Sequence, residues 1–146
     1  MDISIIFAVA ALLISATVLV HYEALRITGR VIRHLPIRPR PRILVVIFAC
    51  FAAHLVEIIL YAIAFAALHH SPRFGGIGGE VTATALDFLY FSITSFTTLG
   101  VGDVYPEGPL RILAGIESLN GFLLITWSAS FTYLMMRRYW HPELDG

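Results

Sequence analysis

The stretch Thr97-Thr98-Leu99-Gly100-Val101-Gly102-Asp103 decides the fold of this chain. Its two glycines stand two residues apart, and glycine reaches positive φ without steric cost. Such a loop can turn successive backbone carbonyls toward one side. A Gly-x-Gly-Asp surface turn and a phosphate-cradling loop are the competing interpretations. The phosphate interpretation lacks a preceding strand and a following Gly-Lys-Ser/Thr, and a surface turn does not explain the apolar segments on both sides.

The composition excludes an ordinary soluble domain. Of 146 residues, 58% are hydrophobic and 14% charged, with a mean hydropathy of +0.79, whereas soluble domains carry about 25% charged residues. A membrane span needs about 20 apolar residues, and three segments qualify: Ile3–Val20, Ile43–Leu68 and Leu110–Met136. The first is expected to be a retained helix, because Asp2 precedes it where a signal peptide has basic residues. We therefore expect an all-α membrane protein.

The arginines indicate the orientation of these spans. All ten basic residues are arginine, and six of them fall in a basic linker over 26–42 that contains three prolines. Because cytoplasmic loops collect basic residues, the linker and the tail 137–146 are predicted to be cytoplasmic and the N-terminus extracytoplasmic, in a multi-pass protein of the cell membrane. The linker is interpreted as a topology determinant, with specific lipid binding as the alternative. Cys50 is interpreted as a small buried hydrophobe.

The glycine stretch and its flanks resemble the pore domain of potassium channels. The resemblance covers an outer helix 43–68, a pore helix 83–96, a filter 97–103 and an inner helix 109–136. It implies three transmembrane helices with a re-entrant pore helix and filter loop, assembled as a tetramer. The N-terminal helix, within residues 1–25, lies outside the resemblance.

The resemblance also implies the ion site. Five residues align with the family's Thr-Val-Gly-Tyr-Gly, whose oxygens replace the hydration shell of K⁺: Thr98, Leu99, Gly100, Val101 and Gly102. Bound K⁺ is expected at the first four. A homotetramer in membrane lipid is the implied assembly, with no organic cofactor, no organic substrate and no nucleic acid.

The chain departs from the family around this loop. Val101 replaces an aromatic residue, and Tyr90 and Phe91 are expected to face it without the family's tryptophans. Thr94 stands where some members have a glutamate paired with the filter aspartate, here Asp103. We expect these residues and Thr97 to support the filter. A weaker scaffold makes a poorly selective Na⁺/K⁺ channel the alternative.

Several polar residues lie inside the predicted spans, where ionisable groups are costly. His54 and Glu57 share one face of the second span, and Glu117 and Asn120 one face of the third. A buried network joining Glu57 and His54 to Glu117 is one interpretation, with proton sensing through histidine; a static interhelical clamp is another. A metal site has an incomplete ligand set.

Other histidines receive no role from the sequence. His21 and Glu23 are expected at the solvated inner end of the first helix, and His69 and His70 in a solvated loop.

The last span offers two further features. Gly121 aligns with the family's hinge glycine, with close helix packing as the alternative. One helical face is expected to line a cavity or to pack against a neighbour: Phe122, Thr126, Ala129 and Tyr133.

The sequence contains no nucleophile–base pair, no complete metal motif and no cofactor signature, and no span carries the arginine ladder of a voltage sensor. We expect passive K⁺ conduction and no enzymatic activity. A non-conducting membrane subunit or sensor that uses the buried His/Glu cluster is the alternative from another class.

Overall fold

Four helices and one small sheet form the structure, a computed structural model that describes residues 2–69, 71, 73–80 and 82–140. The helices are α1 (Asp2–His34), α2 (Arg42–His69), α3 (Ala85–Phe96) and α4 (Leu110–Trp140); the strands are β1 (Ile77–Gly79) and β2 (Val104–Pro106). Helices α1, α2 and α4 are long and apolar enough to cross a membrane, whereas α3 is too short. The predicted all-α membrane fold class is confirmed.

Helix α1 is longer than the sequence suggested. It continues to His34, well beyond the predicted span to Val20, and takes up half of the predicted linker. Pro36 ends it, because the residue before a proline is disfavoured in helical conformation. The guanidinium of Arg42 then closes the short connection to α2 by donating to the carbonyl oxygens of Leu35 at 3.1 Å and Ile37 at 3.3 Å.

The basic connection and the end of α4 lie at the same end of the bundle. The indole N–H of Trp140 donates to the carbonyl oxygen of Arg40 at 3.4 Å, and the Arg42 guanidinium lies 5.4 Å from the centre of the Tyr139 ring. Residues 141–146 of the predicted tail lie outside the described residues. Both arginine-rich segments therefore belong on one side of a membrane.

Two apolar clusters hold α1, α2 and α4 together, and a polar layer separates them. The cluster nearer the glycine loop includes Ile6, Tyr61, Phe65 and Leu113. The other is built from buried Leu25, Ile32, Ile43, Val46 and Cys50. Cys50 is thus the buried hydrophobe that its position predicted. The residues of the polar layer come from all three long helices and are buried between the clusters: Thr17, His21, Glu57, Glu117, Asn120 and Ser128.

A small sheet that the sequence analysis missed frames the glycine loop. Strand β1 pairs antiparallel with β2, and Gly79 lies opposite Val104. At Gly79 φ is +98°, and an added Cβ would overlap the carbonyl oxygen of Asp103. Only glycine permits this conformation and this approach together.

Helix α3 begins with a capping box. The Thr84 hydroxyl accepts from the Asp87 N–H at 3.4 Å, and the Asp87 carboxylate accepts from the Thr84 N–H at 2.9 Å. Two helix-terminal donors are satisfied in this way, and the Thr84 N–H holds the pKa of Asp87 below its usual range. The helix therefore starts at Ala85, two residues later than predicted.

Helix α4 crosses the end of α3 at Gly121. A Cβ on this residue would overlap the carbonyl oxygen of Phe96 and lie 2.8 Å from the Phe96 Cγ. The helix continues without interruption through Gly121. The geometry therefore supports the close-packing interpretation, and the hinge stays a prediction.

We expect Gly121→Ala to lower the thermal midpoint of the detergent-solubilised protein. Overpacking a close contact costs about 1–3 kcal/mol, whereas alanine gains only about 1 kcal/mol in helix propensity. Gly115→Ala is the matched control, because a Cβ there meets nothing within 4 Å apart from its own helix. Equal midpoints for the two variants would contradict the packing role of Gly121.

Candidate functional site: the glycine loop and the polar layer behind it

Residues 97–103, called the glycine loop below, alternate in backbone handedness. Thr98 has φ +59°, Gly100 +55° and Gly102 +92°, while Leu99 and Val101 between them keep negative φ. An alternation of this kind can turn successive carbonyls toward a common side. The two glycines adopt the positive φ that the sequence predicts, and open space surrounds their Cα atoms within the chain. Glycine is therefore required here by conformation and not by crowding.

Thr98 adopts a conformation that threonine rarely takes. Left-handed backbone costs an ordinary residue about 1–2 kcal/mol, and a β-branched residue there is an outlier that the surroundings must hold. The last turn of α3 provides the hold: the Thr98 N–H donates to the Ser95 carbonyl at 3.0 Å. The Thr94 carbonyl accepts from the N–H groups of Leu99 at 2.9 Å and Gly100 at 3.2 Å.

Helix α4 also contacts the last turn of α3, which holds the start of the glycine loop. The Ser118 hydroxyl donates to the Ser95 carbonyl at 2.8 Å. Sequence reasoning missed Ser118, because a serine in an apolar helix has no pattern that identifies its partner. The hydroxyls of Thr94 and Thr97 bond to carbonyls of their own helix, at Phe91 and Ile93.

Asp103 anchors the outer end of the loop. The Tyr90 hydroxyl donates to Asp103 Oδ2 at 2.8 Å, the Val104 N–H donates to Oδ1 at 2.9 Å, and the Glu80 N–H donates to the Asp103 carbonyl at 3.0 Å. The carboxylate raises the pKa of the Tyr90 hydroxyl, which therefore stays a donor at neutral pH. Thr94 does not replace the glutamate that pairs with this aspartate in some family members; the Tyr90 hydroxyl is the partner of Asp103 instead.

Phe91 differs from Tyr90 in its surroundings. The sequence analysis placed both beside Val101, but the Phe91 side chain is buried and its ring packs edge-on against Phe65 of α2, with ring centres 4.9 Å apart. Phe91 therefore fixes α3 to the bundle, while Tyr90 reaches the loop.

Glu117 lies behind α3, fully buried. Its Oε1 is 2.5 Å from the Ser92 hydroxyl, which is also 2.8 Å from the Ile58 carbonyl. The Ser92 hydroxyl therefore connects α3 to both α2 and α4. Glu117 Oε2 has no hydrogen-bond partner among the described residues.

Asn120 links the three long helices. Its Nδ2 donates to the Thr17 hydroxyl at 2.8 Å and to the Tyr61 hydroxyl at 3.2 Å. This arrangement matches the clamp interpretation, with α1 as an additional member that the sequence analysis did not foresee.

The remaining members of the layer, His21, Glu57 and Ser128, form a ring of contacts with the partly buried His54. Glu57 Oε1 and Oε2 each lie 2.9 Å from an imidazole Nδ1, of His21 and His54 respectively. The Ser128 hydroxyl lies 3.3 Å from Nε2 of His21 and 3.1 Å from Nε2 of His54. The two imidazoles are stacked, with centres 5.1 Å apart and planes 28° apart.

Two expectations about this ring are wrong. Among the described residues, the network predicted between His54, Glu57 and Glu117 is not continuous, since the ring contacts of His54 and Glu57 go to His21 and Ser128, whereas Glu117 bonds to Ser92. His21 is fully buried and not solvated. Because α1 continues to His34, His21 lies about 20 Å from the end of that helix at 1.5 Å per residue.

The ring suits protons better than a metal ion. One ligand atom from each of His21, His54 and Glu57 lies within 4.8 Å of the others. Three protein ligands leave the tetrahedral set of a structural zinc site incomplete, and both carboxylate oxygens of Glu57 already lie 2.9 Å from an imidazole nitrogen. Hydrogen bonds to one carboxylate on one side and one hydroxyl on the other match the stacking of the two imidazoles.

The predicted lining face of α4 is uncovered within the chain. Its four residues are exposed: Phe122, Thr126, Ala129 and Tyr133. At the other end of the bundle His69 is partly buried, contrary to expectation: its Nδ1 accepts the Ile77 N–H at 3.0 Å, and its ring packs on Phe88. His70 lies outside the described residues.

The fold and the loop define a membrane pore-loop protein, and the comparison with family models agrees. A model described as "Ion channel" matches residues 44–138, which is more than half of the chain. The protein belongs to this family of two-transmembrane ion channels with a potassium-channel-type pore. Comparisons with curated proteins and with solved structures gave no match. Ion channels are a non-enzymatic class of protein, and the sequence also predicts no enzymatic activity.

We expect Tyr90→Phe to loosen the outer end of the glycine loop, because it removes the donor to Asp103. Amide hydrogen exchange should become faster at Val104 and Glu80, whose N–H groups bond to Asp103. Tyr105→Phe is the matched control, since the exposed Tyr105 makes no side-chain hydrogen bond within the described residues. Unchanged exchange in Tyr90→Phe, or the same increase in both variants, would contradict this role.

Proposed function

We propose that this protein is a homotetrameric potassium channel that conducts K⁺ passively through the glycine loop. The observation that carries the proposal is the alternating backbone of Thr98, Leu99, Gly100, Val101 and Gly102, held by hydrogen bonds at both ends. Carbonyl oxygens on one side of such a loop, together with the Thr98 hydroxyl, can replace the hydration shell of K⁺. Thr98, Leu99, Gly100 and Val101 are the proposed ion-binding positions.

The end of α3 favours a cation at the inner end of the loop. A helix C-terminus carries roughly half an elementary negative charge, and α3 ends at Phe96, immediately before the loop. Several copies of this helix around one axis would add their fields in the cavity below the loop.

An oligomer is needed because a single chain leaves the glycine loop and one face of α4 exposed. A single loop provides one wall of an ion site, and the Leu99 and Val101 side chains remain 66% and 58% exposed. Non-helical backbone at membrane depth is tolerated only where protein or water surrounds it. Four copies would enclose the loop and cover the exposed face of α4, with Phe122 and Tyr133 toward the axis or the neighbouring subunit.

Selectivity for K⁺ over Na⁺ is supported by the bracing of the loop. Val101 gives no aromatic contact, and this is the reason for the alternative of a weakly selective cation channel. However, Tyr90 holds Asp103 at the outer end and the Thr94 carbonyl holds the inner end. The carbonyl oxygens of every chain are also unaffected by the side chain at position 101. We therefore propose that K⁺ is preferred.

The test is ion flux from purified protein reconstituted into liposomes. Under bi-ionic K⁺/Na⁺ conditions we expect a reversal potential displaced toward selectivity for K⁺. A value near zero would favour the weakly selective channel, and no flux from an assembled oligomer would favour a non-conducting subunit. Chemical cross-linking of the same preparation should give a tetramer; a monomer or dimer would contradict the pore.

Gly100→Ala should abolish K⁺ flux without preventing membrane insertion, because alanine resists φ +55°. Gly115→Ala serves as the control for a glycine-to-alanine change at an unstrained position. Undiminished flux in Gly100→Ala would contradict the filter role of the loop.

The orientation is a second part of the proposal. With the arginine-rich connection inside the cell, the N-terminus and the outer end of the glycine loop face outward in the cell membrane. In a Cys50→Ala background, Asp2→Cys should react with an impermeant thiol reagent added to intact cells, whereas Arg38→Cys should not. The reverse labelling pattern would contradict this orientation.

A further inference from the structure

The ring of His21, His54, Glu57 and Ser128 ties three helices together through four polar contacts. It is closed: the carboxylate spans the two Nδ1 atoms, and the hydroxyl spans the two Nε2 atoms. The side chains of His21 and Glu57 are fully buried. How many of the four contacts are hydrogen bonds depends on how many protons the ring holds.

Two neutral imidazoles leave the ring incomplete. A neutral imidazole has one N–H and an ionised carboxylate only accepts, so both Nδ1–H groups donate to Glu57. Both Nε2 atoms then need a donor, and the Ser128 hydroxyl has one proton. At one of the four contacts the Ser128 oxygen and an imidazole Nε2 are both acceptors, so no hydrogen bond forms there. The ring also has a net charge of −1, in a layer between two apolar clusters.

One additional proton resolves both deficits. An imidazole is a stronger base than a carboxylate, so the proton is placed on one of the imidazoles. The Nε2–H of that imidazole donates to Ser128, and Ser128 donates to Nε2 of the other imidazole. Four donors then meet four acceptors, and the net charge is zero. A second added proton would make the charge +1 and leave the serine proton without an acceptor.

We propose that this ring is a proton-binding site that holds one proton between His21 and His54 and makes the docking of α1 on the pore sensitive to pH. Among the described residues, the other buried titratable groups on the packed elements are Tyr61 and Cys50 of α2 and Glu117 of α4. Tyr61 bonds to Asn120 and Glu117 to Ser92, and the end of α3 contributes the uncharged Phe96.

The ring contacts the parts of the chain that form the pore. The His54 ring lies 5.8 Å from that of Phe96, the last residue of α3 before the glycine loop, and Ser128 belongs to α4. Release of the proton at alkaline pH would leave the buried charge uncompensated and weaken the contact of α1 with both. The docking equilibrium should then shift by up to about tenfold per pH unit. An effect on ion flux rests on the proposed function, whereas proton binding does not.

The Glu57→Gln variant removes the need for the additional proton while keeping the four hydrogen bonds of the ring. The glutamine oxygen can accept from one neutral imidazole, and its amide can donate to Nδ1 of the other. That second imidazole then donates from Nε2 to Ser128, which donates to the first. All four hydrogen bonds form with no charge and no added proton, so this variant should fold and dock α1 without one.

The direct test is nitrogen NMR of the imidazoles in the reconstituted protein near neutral pH. In the parent we expect the nitrogen signals of one protonated imidazole for His21 and His54 together. These signals should be lost in Glu57→Gln and in Ser128→Ala. Ser130→Ala should retain them, since Ser130 bonds only to its own helix. Two neutral imidazoles in the parent, or a signal unaffected by both Glu57→Gln and Ser128→Ala, would overturn the proposal.

The flux arm uses the same liposomes with a chelator present, so that metal binding does not contribute. Parent flux should change between neutral and alkaline pH, and Glu57→Gln should remove that change. An alkaline response that persists in Glu57→Gln would overturn the regulatory part. A protein that conducts no ion but shows the imidazolium would contradict the proposed function and leave the proton site supported.

Discussion

In the proposed function the backbone carbonyls of the glycine loop face an ion, and such carbonyls must be kept from bonding to their own chain. In a helix each carbonyl is taken by an N–H four residues later. The glycine loop escapes that pattern because its N–H groups are occupied elsewhere: those of Leu99 and Gly100 both end on the Thr94 carbonyl. The sheet of β1 and β2 and the Tyr90–Asp103 pair then hold the exit of the loop.

The position of the glycine loop depends on the helices that flank it. Polar contacts between the helices fix their alignment. Apolar side chains pack in many registers with similar energies, whereas hydrogen bonds between buried groups are satisfied in few. The contacts of Asn120 with Thr17 and Tyr61, and those of Glu57 with the two histidines, therefore set the relative heights of α1, α2 and α4. Gly121 brings α4 close enough to Phe96 for that register to reach α3.

The sequence was sufficient for those features that depend on neighbouring residues. Three apolar spans and the paired glycines predict the membrane fold and the backbone of the loop. Contacts across the bundle were not accessible, because they depend on the height at which one helix meets another. The burial of His21 is an example: its neighbours in the chain give no sign that α1 continues to His34. The Tyr90–Asp103 bond and the short strands were missed because both depend on the path of the loop.

Helix α1 lies entirely outside the matched region 44–138, yet it provides partners for several groups within that region. Thr17 accepts from Asn120, and His21 contacts Glu57 and Ser128. A chain trimmed to the matched residues would remove one of the two partners that Glu57, Asn120 and Ser128 each have, and would leave that side of each group facing hydrocarbon, where a lost partner is costly. The matched region is therefore not an autonomous module, because α1 completes the polar contacts that its two long helices make inside the bundle.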